Sequence, residues 1–185
     1  MAKKHKLRIM VSSTVYGSKY TLDQISAILR QQFGYDVIMS NDGSVYVPVE
    51  CMDNPEKACL KAVEDCDLFL GIIFPRYGSG ITHKEFLEAV KLNRPRWFVA
   101  DEKIEFLRKL FEPYIYEQNG ERNNFEIKKN SVLDSIKVID MYNDVSHNWV
   151  QPFTNIGELL FFIEQQFKDK KRRQKEIDIL KNNIQ

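Results

Sequence analysis

The chain has 185 residues, a length that suits one sizeable domain with its own core. Its formal net charge of +1 gives no overall electrostatic preference for nucleic acid or for an acidic partner. Apolar residues make up 43% of the sequence and charged residues 29%, as in an ordinary soluble protein. No apolar run approaches the ~18 residues of a membrane helix, and the basic N-terminus has too short an apolar run for a signal peptide. We therefore expect a cytoplasmic protein that interacts with neither membranes nor nucleic acid.

The three cysteines, Cys51, Cys59 and Cys66, are odd in number and lack C-x-x-C spacing. This pattern predicts a reducing compartment, no disulfide framework, and a small buried side chain at each position. The spacing of metal ligands is absent from the sequence, so no metal site is predicted.

The first half of the chain alternates between strand and helix patterns. A strand at 7–11 runs into a hydroxyl-rich segment, and apolar residues at helical spacing predict a helix at 21–33. A second strand is predicted at 35–40. The short apolar stretch at 45–49 either pairs beside it or crosses the end of the sheet. A capping residue followed by a proline then predicts a helix from Asp53 to about residue 65.

The stretch that follows carries most of the functional argument. Residues 67–74 are apolar on both faces, which is typical of a central parallel strand covered on both sides. A glycine-bearing loop at 75–81 leads into a helix at 82–93. Because ligands bind beyond the carboxyl ends of strands in open parallel sheets, Glu85 in the first turns of this helix is a carboxylate at the mouth of a crevice.

The second half is predicted to contain a strand at 96–100, a helix at 102–117, a polar loop at 118–130, an edge strand at 135–140, an irregular stretch at 143–153 and a helix from 155 to about 180. Pro113 is expected to kink or shorten its helix. The charged run after Lys168 indicates a solvated helix end or, alternatively, a protruding helix for self-association through Ile177, Leu180 and Ile184.

The alternation of strands and helices predicts an α/β fold, a flavodoxin-like parallel sheet of order 2-1-3-4-5 with helices on both faces and a long C-terminal helix. We expect residues 1–153 to form the α/β domain and residues 154–185 to add the C-terminal helix to the same domain.

Several short motifs occur in a fixed order within residues 7–100. They are Val11-Ser12-Ser13-Thr14, Cys66-Asp67-Leu68 with Gly71, Tyr77-Gly78-Ser79, Thr82 with Glu85, and Pro95. This ordered set resembles the VSST signature of a bacterial family of domains of unknown function. That family is in turn similar to TIR domains and to nucleoside 2-deoxyribosyltransferases.

The resemblance implies a TIR-like enzyme that cleaves an N-glycosidic bond with a glutamate after the third strand, which by motif position is Glu85. NAD would be its substrate rather than a cofactor. The reaction would be hydrolysis, or cyclisation to a nucleotide signal that reaches a separate effector protein in anti-phage defence. The substrate-binding candidates are Ser12, Ser13, Thr14, Tyr16, Asp67, Tyr77, Gly78, Ser79 and Thr82.

Elementary chemistry agrees with this reading. Glycosidic cleavage passes through an oxocarbenium-like transition state, which a nearby carboxylate can stabilise or attack. Nicotinamide leaves without protonation, whereas a nucleoside base needs an acid, for which Asp67 and His83 are the candidates. Tyr16 and Tyr77 either stack on the cationic ring or serve in packing.

Each functional assignment has an alternative. Thr82 and Glu85 fit the capping-box pattern, in which the glutamate bonds back to the helix cap. Glu88 is the substitute catalytic candidate, and the hydroxyls after the first strand either bind a ligand or cap the turn. The alternative functions are a nucleoside deoxyribosyltransferase or nucleotide N-glycosidase, and a non-catalytic TIR-like interaction module.

Overall fold

Five parallel strands form one sheet in the structure, a computed structural model that describes residues 6–182. The strands are β1 (Arg8–Ser13), β2 (Asp36–Ile38), β3 (Leu68–Ile73), β4 (Arg96–Asp101) and β5 (Val150–Phe153). Their order across the sheet is β2-β1-β3-β4-β5. This is the flavodoxin-like order, so the predicted fold class is confirmed.

Helices cover both faces of the sheet. Within residues 6–182 they are α1 (Lys19–Ala27), α2 (Pro55–Asp65), α3 (Ile81–Lys91), α4 (Glu102–Ile115), α5 (Lys137–Val145), α6 (Ile156–Phe167) and α7 (Lys170–Asn182). Helices α2 to α5 share one hydrophobic core with one face of the sheet. Helices α1, α6 and α7 share a second core with the other face.

Gly71, in the middle of the central strand β3, sets the distance between the sheet and α3. In the ladder it lies beside Ser12 of β1 and Phe98 of β4. A Cβ at this position would lie 2.7 Å from Cδ1 of Phe98 and 2.9 Å from Cε1 of Phe86 on α3. The missing side chain therefore lets the Phe86 ring pack against the strand, which brings the neighbouring residue Glu85 to β1.

The predicted edge strand at 135–140 is wrong. This segment leads into helix α5, whose buried residues Val138, Met141 and Val145 follow helical spacing. Six alternating residues satisfy a strand pattern and one face of a short helix equally well. The fifth strand lies instead at Val150–Phe153, in the stretch predicted to be irregular. Pro152 obscures it in the sequence, and a proline is tolerated there because β5 is an edge strand.

The prediction of a single long C-terminal helix is also wrong, because α6 ends at Phe167 and α7 begins at Lys170. The hydroxyl of Tyr35 donates to the Phe167 carbonyl at 3.0 Å, which satisfies an acceptor at the end of α6.

Helix α7 packs on its own domain instead of protruding. Ile177 is 4% exposed, and Lys181 forms an ion pair of 2.6 Å with Asp67. Lys170 donates to the Gly34 carbonyl. Since Gly34 and Asp67 come just before β2 and β3, α7 lies at the amino ends of the strands. Leu180 is partly exposed, and Ile184 lies outside the described residues.

Three smaller predictions can also be compared with the structure. Residues 45–48 do not pair with β2 and lead into a 3-10 turn at Val49–Cys51. Pro113 lies within α4, two residues before its end. Cys51, Cys59 and Cys66 are free, buried thiols, as predicted.

Among residues 6–182, every helix is too short or too polar to cross a membrane.

Replacing Gly71 by Ala is expected to lower the free energy of unfolding by about 1–3 kcal/mol, because the added methyl group overpacks the Phe86 and Phe98 rings. Chemical denaturation of the wild type and the variant measures the difference. In the double variant with Phe98→Leu, which replaces the facing ring by a smaller side chain, the loss caused by Gly71→Ala should shrink. A loss that is the same in both backgrounds would show that crowding is not its cause.

Candidate functional site

A cavity of about 340 Å³ lies beyond the carboxyl ends of β1 and β3. The chain leaves β1 toward β2 on one side of the sheet, and β3 lies on the other side of β1. This is the topological switch point, where open α/β sheets bind ligands. Of the predicted site residues, those that line the cavity are Ser13, Thr14, Tyr16, Tyr77, Gly78, Ser79, Thr82 and Glu85. Two segments far apart in sequence thus meet where the strand pattern predicted.

Glu85 is buried at the base of this cavity, with 3% of its surface exposed. Helix α3 begins at Ile81, after Gly80 in the left-handed conformation, and has no side-chain cap. Thr82 is therefore the second helical residue and Glu85 the fifth, so the capping-box interpretation is wrong. The carboxylate instead accepts a hydrogen bond from the Ser12 hydroxyl of β1.

Burial raises the pKa of Glu85 above its usual range, because a charge is costly where water is excluded. Hydrogen bonds from Ser12 and Cys59 oppose this effect, since both favour the charged carboxylate. The same environment raises the pKa of the Cys59 thiol to about 12, through burial first and the charge of Glu85 second. Cys59 therefore remains a protonated donor to Glu85 and is not a nucleophile.

No pattern in the sequence assigns Cys59 to the site. Its place on the apolar face of α2 indicates only that it points inward. Its contact with Glu85 depends on how α2 packs beside α3, which the sequence does not encode locally. The other lining residues missed were Val15, Ser40, Pro55 and Ile81.

Ser13 is the one cavity-lining residue of the described chain whose buried hydroxyl has no hydrogen-bond partner. It is 7% exposed. An unpaired buried hydroxyl is costly unless a water or a ligand satisfies it. The Ser13 hydroxyl is therefore a polar group beside the cavity that the folded chain leaves unsatisfied.

The loop between β3 and α3 forms one wall of the cavity. Thr14 Oγ1 donates to the Tyr77 carbonyl at 3.4 Å. Gly78 has a φ of +64°, and a Cβ there would lie 2.9 Å from Cγ2 of Thr14, so only glycine fits. From outside, the Asp134 carboxylate accepts the backbone N–H of Tyr77 at 2.8 Å and that of Gly78 at 3.4 Å. Asp134 lies far along the chain, and no local signal indicated this role.

A chain of hydrogen bonds leads outward from Tyr77. Its hydroxyl lies 3.0 Å from His83 Nδ1, and His83 Nε2 lies 2.8 Å from the Asp144 carboxylate on α5. Burial, followed by the charges of Asp140 and Asp144, raises the pKa of Tyr77. The chain can hold a tyrosine hydroxyl in place and carry a proton between these groups.

The structure does not bring Asp67 to this site, which corrects its assignment as a substrate-binding residue. Asp67 precedes β3 and so lies at the amino end of the sheet, roughly 20 Å along the strand from the cavity. Its carboxylate accepts the Arg8 backbone N–H at 2.9 Å and pairs with Lys181. Glu88, the substitute candidate, pairs with Lys91 and lines a separate surface depression.

Residues 8–159 match the family described as domain of unknown function DUF4062. The chain belongs to this family. The match runs from β1 into the first turn of α6 and contains the whole cavity, so the expected membership of a family of unknown function is confirmed. The VSST signature and the likeness to TIR domains remain predictions.

This DUF4062 domain is similar to the crystal structure of a conserved protein from Enterococcus faecalis V583, with 15% sequence identity and a TM-score of 0.48. That match covers 88% of this chain and 99% of the other. No curated protein gives a significant match.

Within the described residues of the DUF4062 domain, no group of three or more His, Cys, Asp or Glu side chains is suited to a metal ion.

The buried carboxylate predicts a pH-dependent gain of stability in Glu85→Gln. In the unfolded chain a glutamate titrates near ~4.3, whereas burial raises the pKa in the folded domain. The contribution of Glu85 to the stability of the folded wild type is therefore fully present below the pKa of the unfolded chain. It is lost as the pH rises through the pKa of the folded domain. The glutamine variant stays neutral, so at about pH 8 its Tm should exceed that of the wild type by a few degrees, and the gap should close near pH 4.

Thermal melts of both proteins across this pH range make the comparison. Glu88→Gln is the matched control, since it makes the same change on the same helix at a partly exposed residue paired with Lys91. It should show no such gain. A Glu85→Gln variant that is less stable than the wild type at pH 8 would contradict the argument.

Proposed function

We propose that this domain cleaves the N-glycosidic bond between nicotinamide and ribose in NAD, with Glu85 as the catalytic residue. The observation that carries the proposal is the buried Glu85 carboxylate, held by the Ser12 hydroxyl at the base of a cavity at the switch point of the sheet. A charge is expensive to bury, and such groups concentrate at functional sites. The ordered motifs of the sequence add support, because they resemble a family that is similar to TIR domains.

The chemistry requires an ionised Glu85 beside the anomeric carbon. As the bond to nicotinamide breaks, its electron pair leaves with the nicotinamide ring, and positive charge develops on the ribose. The carboxylate stabilises this charge in a site with little water, where the interaction is strong. Water then attacks in hydrolysis, or a nucleophile of the same substrate attacks in cyclisation. Nicotinamide departs without a proton, so one carboxylate suffices.

The neighbouring groups have roles that follow from their positions. Ser12 and Cys59 orient the carboxylate and support its charge. The unpaired hydroxyl of Ser13 is free to bond a ribose hydroxyl. Tyr16 and Tyr77, which line the cavity, offer aromatic faces to the cationic nicotinamide ring.

The wider role belongs to the same proposal and is supported by the resemblance alone. The domain would act in the cytoplasm of a bacterium in anti-phage defence. It would either deplete NAD or make a nucleotide signal for a separate effector protein. Self-association is a further expectation of that role.

Replacing Glu85 by Gln should reduce the release of nicotinamide from NAD by about 10²-fold or more, because the neutral amide cannot stabilise the developing positive charge. Purified wild type and variant are incubated with NAD, and the products are resolved by chromatography and mass spectrometry. The product mass distinguishes hydrolysis from cyclisation.

Glu88→Gln is the matched control for this assay and should retain wild-type turnover. If Glu85→Gln retains turnover while its fold is intact, Glu85 is not the catalytic residue. If the wild type turns over neither NAD nor any nucleoside or nucleotide, the observation favours the non-catalytic interaction module.

A second candidate function is hydrolysis or transfer at the glycosidic bond of a nucleoside or nucleotide. This reaction needs an acid for the departing base. Asp67 is too distant, but the His83 ring is bonded to Tyr77, a cavity-lining residue, and to Asp144. This chain of hydrogen bonds is the observation that favours the second candidate.

Tyr77→Phe separates the two functions, because it keeps the aromatic ring and removes the hydroxyl that connects the cavity wall to His83. Release of a base that needs a proton as it departs, tested with a panel of nucleosides and their monophosphates, should fall by about 10²-fold, whereas release of nicotinamide from NAD should change less than about threefold. Equal losses on both substrates would show that the hydroxyl has a structural role instead.

A further inference from the structure

The cavity contains a carboxylate and hydroxyl groups but no positive charge. Among the described residues, none of those lining it is a lysine or an arginine. A nucleotide bound with its ribose at Glu85 would need a cation for its phosphate, because the buried carboxylate repels that group. Any such cation must therefore stand at the mouth of the cavity.

Lys129 meets this requirement. Its Nζ lies 5.6 Å from the centroid of the Tyr16 ring, and Tyr16 lines the cavity. Tyr16 is 72% exposed, so its ring marks the mouth, whereas Glu85 marks the base. Within residues 6–182 the ammonium group of Lys129 interacts with the Tyr16 ring and with no carboxylate.

The loop that carries Lys129 is fixed to the cavity wall. The guanidinium of Arg76 donates to the Ser131 carbonyl at 2.7 Å and to the Val132 carbonyl at 3.0 Å. The Asp134 carboxylate accepts the backbone N–H groups of Tyr77 and Gly78. Lys129 is thus two residues from a segment attached to the cavity wall at several points, which limits how far its ammonium group can move from the mouth.

Other cations near the cavity wall are already engaged. Arg76 donates to three backbone carbonyls, which include that of Pro75, and Lys84 on α3 pairs with Glu56 at 2.5 Å. Of these three cations, Lys129 is the one that can accept an anionic partner without breaking an ion pair or a hydrogen bond to a backbone carbonyl.

We propose that Lys129 and the Tyr16 ring form a phosphate subsite, so that the substrate of this domain is a nucleotide and not an unphosphorylated nucleoside. This inference rests on the proposed function, since it takes the ribose to lie against Glu85. The 5′-phosphate then projects toward the mouth and meets the ammonium group. Tyr16 keeps that group at the rim through a cation–π contact and supplies a face for stacking.

The test uses probe pairs that differ only in one phosphate: nicotinamide riboside with nicotinamide mononucleotide, and deoxyadenosine with deoxyadenosine monophosphate. Equilibrium binding is measured with the full chain, and with Glu85→Gln for any probe that is turned over. The proteins compared are the wild type, Lys129→Ala and Lys129→Arg. Lys175→Ala is the control, because it removes the same charge from α7 at the other end of the sheet.

In at least one pair the monophosphate should bind more tightly than its nucleoside. Lys129→Ala should weaken the binding of the monophosphate by about fivefold or more and leave the binding of the nucleoside unchanged. Lys129→Arg should keep the preference, and Lys175→Ala should change nothing. Added salt should weaken the binding of the monophosphate and not that of the nucleoside.

Three results would overturn the inference: a preference that survives Lys129→Ala, an equal loss for both members of a pair, or no binding of any probe. Failure of the proposed function has a different signature. If NAD stays intact while deoxyadenosine monophosphate binds in a Lys129-dependent way, NAD is the wrong substrate and the phosphate subsite stands.

Discussion

The carboxylate of Glu85 lies in the interior of the domain, and its hydrogen bond from Ser12 ties α3 to β1. This contact depends on Gly71, which stands beside Ser12 in the sheet and leaves room for the Phe86 ring. A larger residue at Gly71 would push α3 outward and separate the carboxylate from its donor. The central packing of the domain and the geometry of the candidate site therefore both depend on the close approach that Gly71 permits.

The cavity above this contact is assembled from two loops that follow neighbouring parallel strands, β1 and β3. Its interior is neutral or negative, with Glu85 at the base, an unpaired hydroxyl on Ser13 and aromatic rings on the walls. Such a lining suits a sugar carrying a cationic leaving group better than it suits a phosphate. The positive charge of Lys129 stands outside, at the mouth. Under the proposed function, this separation of charge would give a bound nucleotide one preferred direction.

The elements of this fold differ in how clearly their sequences mark them, for a physical reason. A strand buried on both faces, such as β3, has an unambiguous apolar run, and the loop after it is marked by glycines. A six-residue alternation, as at 135–140, fits a strand and a short helix equally well, and α5 formed there because its apolar residues pack against α3 and α4. The strand containing Pro152 was hidden because edge strands tolerate residues that central strands exclude.

By itself, the sequence determined the alternation of strands and helices up to α4, the order of the first four strands and the meeting of two hydroxyl- and glycine-bearing loops near Glu85. The alternation is periodic, so short windows of residues encode it, and the order and the meeting of the loops follow from the general rules by which parallel α/β sheets are connected. Only the tertiary structure decided that Glu85 faces Ser12 instead of capping its helix and that Asp67 lies at the far end of the sheet. It also decided that Cys59 bonds to Glu85, that Asp134 holds the Tyr77 loop and that Lys129 lies over the Tyr16 ring. These contacts join residues far apart in the chain, and they exist because helices and loops pack against one shared sheet.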